Sequence, residues 1–399
     1  IKRVEPGQYI CADDHGLRKY HYWKRDISPT FTGSFKQAKN ETLRLMRESI
    51  DINLRSDVPI AVMLSGGIDS SAIAILAKET GREVHTITAG YKGRPEVDER
   101  NLAKRFAKEQ GFTHHEVELD EHDFNRSFEE FTAHIDEPVT DSAALAQWAL
   151  YRKVKSLGFK VLLGGMGGDE LFYGYPFWNQ LGESLEIHRQ HQNLLPWTGI
   201  KKKKEYIRFI LKNWKYVLLA GYPKKINDDT IGIWQQNDYQ KFAQTGSFKW
   251  ENCITKFKDI DLNVGFKNSK LGTELDSVYD FQHSYIMTMV YLYLSDREGM
   301  GHSTEIRSPL LDYKLVDFVS SLPLDLKYKK DEPKYFMKQV LTGIVPDYIL
   351  YGKKRGFTPP DSFIQNVVNN YNYQFFEGDH KFYNTVLADR LLTLLLKND

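Results

Sequence analysis

The stretch Ile60-Ala61-Val62-Met63-Leu64-Ser65-Gly66-Gly67-Ile68-Asp69-Ser70 decides how this chain is read. Residues 60–64 form an apolar run of strand length that follows Pro59 and stops abruptly at Ser65-Gly66-Gly67. Residues 70–78 then read as a helix, with Ala72, Ile73, Ile75 and Leu76 as its apolar positions. Two glycines between a strand and a helix let the backbone approach an anion closely and expose several N–H groups without side-chain obstruction. The helix aims its positive dipole end at the same place. Ser65, Ser70 and Ser71 add hydroxyl donors. Asp69 would repel a bare phosphate, so its presence asks for a divalent cation between the two. At average residue frequencies, a match to S-G-G-x-D-S arises roughly once in two thousand chains of this length. A plain turn is a poor explanation.

Working outward, strand signals recur at residues 83–88, 115–119 and 160–163. Helical patterns lie at 98–109 and 143–156 between them, and at 35–54 ahead of the loop. Strands alternating with helices predict an α/β fold with a parallel sheet covered by helices on both faces. From about residue 177 the alternation stops. The remainder reads as a mostly helical carboxy-terminal half, with helical stretches at 204–219, 277–294 and 314–321. Residues 1–26 read as turns and short strands, punctuated by Pro6-Gly7 and by 13–16. Gly164-Gly165-Met166-Gly167-Gly168-Asp169-Glu170-Leu171-Phe172 follows the strand at 160–163. A glycine-rich turn after a parallel strand lies at the sheet edge where open α/β folds bind ligands. A merely structural turn needs neither four glycines nor two carboxylates behind them.

Composition narrows the classes. The chain has 399 residues, 41% hydrophobic and 27% charged, enough for two or three ordinary globular domains. Its net charge of +1 provides no global field to recruit nucleic acid or an anionic membrane. The best apolar stretch, 285–294, falls well short of the roughly 20 residues that span a bilayer, and it carries Thr288. Cys11 and Cys253 stand apart in no paired motif, which argues against a disulfide framework or zinc site and for a reducing, cytoplasmic setting. The lysines at 201–204 open a helical stretch. They read as a solvated face, with contact to an acidic carrier or lipid-linked substrate as the alternative.

Residues 65–70 resemble the pyrophosphate-binding loop of the ATP pyrophosphatase superfamily (adenine nucleotide alpha hydrolase-like), which splits ATP between its α and β phosphates. The G-x-x-x-x-G-K-[ST] loop of γ-phosphoryl transfer is absent. Together with the loop at 164–172, the chain resembles the C-terminal synthetase domain of the glutamine-hydrolysing asparagine synthetase family. Further stretches agree. Ser56-Asp57-Val58-Pro59 precedes the phosphate loop as in that family, and Glu305-Ile306-Arg307-Ser308-Pro309-Leu310-Leu311-Asp312 matches its E-x-R-x-P-x-L-D signature. Lys334-Tyr335, then Lys354-Arg355-Gly356-Phe357 and Pro360, match its K-Y and K-x-G-F-x-x-P pattern. The resemblance runs from about residue 35 to 360. Pro6-Gly7 and Tyr22-Trp23 are similar to the closing strands of the family's amino-terminal glutaminase domain. It implies three parts: a remnant of that domain at 1–30, an ATP pyrophosphatase α/β core at 31–176, and the helical part of the synthetase domain at 177–399. The glutaminase half is then missing from a chain that starts at Ile1, and Cys11 is no substitute for its terminal cysteine.

The resemblance also implies roles. Ser65, Gly66, Gly67, Asp69 and Ser70 are expected to hold the β and γ phosphates, and Asp69 and Asp169 to share magnesium. The backbone around Leu64, Ile87, Gly164 and Gly165 is expected to line the adenosine pocket. Lys334 is expected to stabilise charge on the α-phosphate, with Asp69 and Asp169 as its catalytic companions. Lys354 is expected to contact pyrophosphate. Asp98-Glu99 matches the family's D-E pair near the nucleotide, and reads equally as a carboxylate pair at a helix N-terminus. Glu305 and Arg307 are expected to form a buried structural pair. The reaction implied is adenylation of a carboxylate by ATP, then attack of ammonia or an amine on the acyl-adenylate.

One residue departs from the pattern. Asparagine-forming members carry an acid at the position of Met166, and β-lactam-forming relatives a tyrosine. Methionine neither hydrogen-bonds strongly nor holds a substrate ammonium group. A small or carrier-linked carboxylate other than free aspartate, such as a sugar uronic acid or a peptide side chain, is therefore expected as acceptor. Gly352 also stands where many members have arginine. The leading reading is an amidotransferase fed with ammonia from glutamine. Asparagine synthesis itself, an intramolecular lactam or peptide cyclase, and an inactive nucleotide-binding scaffold stand as alternatives. The family implies a homodimer.

Overall fold

The computed structural model describes residues 4–23, 26, 28–136, 139, 141–175, 178, 279, 282–353, 357–372 and 390. The helical stretch expected at 204–219, the lysines at 201–204, Cys253 and Lys354 lie outside the described residues.

A short antiparallel hairpin, β1 (Gln8–Asp13) and β2 (Gly16–His21), opens the described chain. Ser34 then starts α1 (Phe35–Asn53): its hydroxyl accepts from the Gln37 backbone N–H, and the Gln37 side chain caps Ser34 in return. The alternating part follows as β3 (Ile60–Met63), α2 (Ile68–Glu79), β4 (His85–Tyr91), α3 (Arg100–Gln110) and β5 (Thr113–Leu119). It continues through α4 (Glu121–Thr132), α5 (Ala143–Ser156), β6 (Val161–Leu163) and the single turn α6 (Gly168–Leu171). A π-helical segment, Gln282–Leu292, runs directly into α7 (Tyr293–Gly301), then β7 (Glu305–Arg307) and a 3-10 turn at Pro309–Leu311. Short helices complete the described chain: α8 (Tyr313–Ser321), α9 (Leu324–Lys327), α10 (Tyr335–Leu341), α11 (Asp347–Leu350) and α12 (Asp361–Asn370).

The strands expected from sequence are all present, shifted by two residues or fewer at their starts. Two elements were not anticipated. Helix α4 is capped by Asp120 and Asp123 and buries Phe124, Phe128 and Phe131 at helical spacing, hidden in the sequence among charged neighbours. Strand β7 is three residues long with an exposed first residue, so no apolar run announced it.

The sheet has the order β5-β4-β3-β6-β7, and every pair is parallel. Side chains along β3 alternate between its faces. Ile60, Val62 and Leu64 join a cluster with Met46, Ile50, Ile73 and Phe106, while Ala61 joins Ile87, Phe124, Trp148, Leu162 and Phe363 on the other side. Helices thus cover both faces, as the near-continuous apolar strands require. From β3 the chain builds outward to β4 and β5, then returns to place β6 on the opposite side. The loops leaving β3 and β6 therefore emerge side by side at the carboxyl edge, which is the switch point of an open parallel sheet. No described helix is long and apolar enough to cross a membrane.

Candidate active site

The loop after β3 is held open by its own hydroxyls. Ser65 N–H donates to Ser70 Oγ at 3.2 Å, the two serine hydroxyls lie 3.1 Å apart, and Gly67 N–H reaches Ser65 Oγ at 3.3 Å. Gly66 has φ 72°, a left-handed conformation that suits glycine. Leu64 is tied to the next strand through its N–H and the Ile87 carbonyl at 2.8 Å. Ser71, by contrast, is wholly buried, and its hydroxyl makes no hydrogen bond among the described residues.

The loop after β6 presses against the first one. A Cβ on Gly165 would lie 2.9 Å from Asp69 Cβ, and one on Gly168 only 2.1 Å from Asp69 Oδ1. Those two glycines are therefore needed for close approach, which the sequence pattern alone did not explain. Gly164 N–H donates to the Arg307 carbonyl at 2.9 Å, fixing the loop to β7.

Lys334 closes the arrangement from 265 residues away. Its ammonium bonds Asp69 Oδ2 and lies 3.0 Å from Asp169 Oδ1, with the residue only 6% exposed. Burial alone would strip its proton; the two carboxylates outweigh that and hold the ammonium well above the usual lysine range. Lys334 has φ 57° and caps α10, and its N–H bonds the carbonyl of Tyr173, itself at φ 55°. Two non-glycine residues in the left-handed region store about 1–3 kcal/mol each, a strain concentrated at functional sites. Gly174 completes the contact, since a Cβ there would meet Asp169 Oδ1 at 2.1 Å and Lys334 Cε at 2.4 Å.

Two carboxylates converging on one cation suit magnesium, a hard ion that takes oxygen ligands. Among the described residues no group of three or more His, Cys, Asp or Glu side chains gathers. One or two carboxylates completed by substrate phosphates is the usual way magnesium is held. Beside the pair, buried Glu170 accepts from the Tyr175 hydroxyl, and burial together with Asp169 raises its carboxyl above the ordinary range. Clefts of about 230 and 410 Å³ lie elsewhere, the first between Leu54 and His85 at the amino edge of the sheet.

The asparagine synthase family model matches residues 41–393. The chain belongs to that family. It is 28% identical over 382 residues to asparagine synthetase [glutamine-hydrolyzing] 1 of Bacillus subtilis, covering 93% of this chain and 57% of that protein. It is 26% identical to Amidase chyE of Penicillium rubens, covering 91% and 59%. The chain thus spans between half and three fifths of the length of these relatives. The NH3-dependent NAD synthetase of Campylobacter jejuni aligns at 16% identity and TM-score 0.26, over 54% of this chain and 98% of that one.

In this member of the asparagine synthase family, the expected residues Ser65, Gly66, Gly67, Asp69, Ser70, Gly164, Gly165, Asp169 and Lys334 come together at the carboxyl edge, with Leu64 and Ile87 buried beneath. Asp98 stands at the foot of α3, where Arg100 pairs with it at 2.6 Å and donates its backbone N–H. The Glu305–Arg307 pair needs correction. The two side chains are 2.9 Å apart but 57% and 19% exposed, because β7 is an edge strand, so the pair is not buried. Arg307 acts structurally instead, donating to the Asn53 and Arg55 carbonyls at 2.6 and 2.8 Å. Sequence reasoning missed Gly174, Tyr173 and Tyr175. The run Tyr173-Gly174-Tyr175 after the Asp-Glu pair was the available signal.

Proposed function

We propose that this chain is the synthetase part of an ATP-dependent, amide-forming carbon–nitrogen ligase. A substrate carboxylate attacks the α-phosphate of ATP, giving an acyl-adenylate and pyrophosphate. Ammonia from glutamine, or an amine, then attacks the activated carbonyl and expels AMP. The observation that carries this reading is the buried Lys334 ammonium held by Asp69 and Asp169 between two glycine loops. Carboxylates are poor electrophiles, and the AMP ester converts oxide into a far better leaving group.

The residues divide the work. The N–H groups and hydroxyls of residues 65–70 cradle the departing phosphates at the start of α2. Lys334 is the group placed to turn toward the α-phosphate oxygens, where negative charge grows in the transition state. Magnesium on Asp69 and Asp169 would neutralise triphosphate charge. Lys354 and the backbone of Leu64, Ile87, Gly164 and Gly165 remain assigned to pyrophosphate and adenosine respectively. Residues 1–30 are assigned to the end of a glutaminase unit, 31–176 to the nucleotide core and 177–399 to the helical part, in a cytoplasmic homodimer. The relatives' glutamine-hydrolyzing names support the ammonia source. Met166, half-buried in the second loop, disfavours free aspartate as acceptor and favours a sugar uronic acid or peptide carboxylate.

Exchange of labelled pyrophosphate into ATP, run with magnesium over aspartate, uronic-acid sugar nucleotides and carboxylate peptides, tests the reading. Exchange that depends on one carboxylate is expected. ATP binding without exchange for any of them sinks it in favour of an inactive scaffold.

A further inference from the structure

Behind the carboxylates, a tyrosine occupies a backbone position that helix ends usually give to glycine. The single turn α6 closes with the Gly174 N–H bonded to the Asp169 carbonyl at 2.8 Å, which makes Tyr173 the residue that reverses the chain, at φ 55°. A bulky side chain in that region is strained, and glycine is not. The Tyr173 ring is buried and has a defined place. It stacks on Tyr279, with centroids 4.8 Å and planes 10° apart, and meets Trp178 edge-on at 4.9 Å and Tyr328 at 5.6 Å. Glycine would relax the turn and leave this cluster without its central ring.

Tyr279 touches both stretches of chain that bring Asp169 and Lys334 together. Its hydroxyl donates to the Leu171 carbonyl at 3.1 Å, on the same turn α6 that carries Asp169. On the other side, the buried Lys327 ammonium lies 4.9 Å from its ring centroid, an attraction that gains strength out of water. Lys327 ends α9, on the segment that leads into Lys334. Tyr328, next in the chain, reaches Tyr173 and donates its hydroxyl to the Trp178 carbonyl at 3.4 Å. Between the two stretches runs the backbone bond from the Lys334 N–H to the Tyr173 carbonyl, at 3.4 Å long for its kind. A bond of that length holds its partners only where the flanking chains are fixed.

We propose that Tyr279 is a positioning residue: through Tyr173 it fixes the turn that sets the Lys334 ammonium against Asp169. It touches no reacting atom. Its effect on catalysis rests on the amide-forming reading, in which Lys334 meets the charge that grows on the α-phosphate in the transition state. A slightly displaced lysine still lets ATP bind, so turnover suffers while the apparent affinity for ATP is kept.

The test uses the full chain as wild type, Tyr279→Leu, Tyr279→Phe and, as a control, Phe131→Leu, which removes a buried ring of α4 on the other face of the sheet. In pyrophosphate exchange with the carboxylate panel above, Tyr279→Leu is expected to lose about 10–100-fold in kcat while KM for ATP stays within about threefold. Tyr279→Phe keeps the ring and loses the bond to Leu171, so kcat drops about 2–10-fold. It carries the test where leucine prevents folding. Phe131→Leu, with a comparable loss of stability in melting curves, keeps the wild-type kcat. A second measurement needs no acceptor: reductive methylation of the protein, with peptide mass spectrometry comparing buried Lys334 with exposed Lys104. Lys334 is shielded in wild type and in Phe131→Leu, and reacts about tenfold faster in Tyr279→Leu, with a smaller rise in Tyr279→Phe. An unchanged kcat, a fall no larger than that of Phe131→Leu, or a wild-type labelling rate at Lys334 overturns the role of Tyr279. Absence of exchange in wild type with every carboxylate overturns the amide-forming reading instead, and the labelling comparison then decides the role of Tyr279 by itself.

Discussion

The Asp69–Lys334–Asp169 cluster and Glu298 are both buried titratable groups, yet burial is answered in opposite ways, by pairing in the first and by a raised carboxyl in the second. In the first, two carboxylates share one ammonium, and the pairing raises the lysine far above its ordinary range despite its burial. In the second, burial comes first and nearby Asp141 makes it worse, so the Glu298 carboxyl rises well above the ordinary carboxylate range. A paired cluster is a finished structure that a ligand must open. The contrast separates a buried charge that has its partners from a buried acid that accepts no hydrogen bond among the described residues.

The largest expected effect breaks the paired side. Lys334→Ala leaves Asp69 and Asp169 facing each other, so we expect a loss of about 3–5 kcal/mol in stability by chemical denaturation. Pyrophosphate exchange falls by about 10²–10³-fold. Retention of wild-type stability would show that the pairing contributes nothing, and the contrast with Glu298 would collapse. Gly174→Ala is milder: its methyl group intrudes on Asp169 and Lys334, with an expected loss of about 1–3 kcal/mol and a matching drop in exchange.

A pH series sharpens the unpaired side. His302 is 6% exposed against Trp148, and burial is the main cause that lowers it to about 4 from the ordinary 6.5. Glu130 pulls it up, while Arg152, Lys155 and His134 push it further down. A depressed histidine means that the unfolded chain takes up its proton first, so its contribution to stability is present above about pH 6.5 and is lost as pH falls toward 4. His302→Gln should flatten the acid side of a stability–pH curve between those values; an unchanged slope would assign the acid limb to other groups. The smallest effect is the surface control. Glu305→Gln removes a half-exposed pair and should change stability by less than about 1 kcal/mol. A larger loss would mean that exposure is a poor guide to which charge pairs matter here.

Much of this was legible in the chain itself. The strand–glycine–helix order at residues 60–70 and the glycine run at 164–168 placed both loops correctly, because their chemistry is local. Lys334 came only through the family pattern, since nothing near it in sequence marks a residue that reaches back to Asp69. Strand β7 escaped because three residues on a sheet edge carry no period. Glu298 escaped for another reason: in sequence it is one more charge in Asp296-Arg297-Glu298, and only burial distinguishes it from its neighbours. Lys354 belongs to the residues whose place is not described.

The 265 residues between Asp69 and Lys334 have a consequence for biosynthesis. At the ~5–20 residues per second of a ribosome, the lysine follows the first carboxylate by roughly 13–53 s. For the last 165 residues of that interval both acids have been made, they repel one another, and no ammonium joins them. The nucleotide centre is therefore assembled by the last third of the chain, and a truncated nascent product carries two formed loops with no means of closing them on ATP.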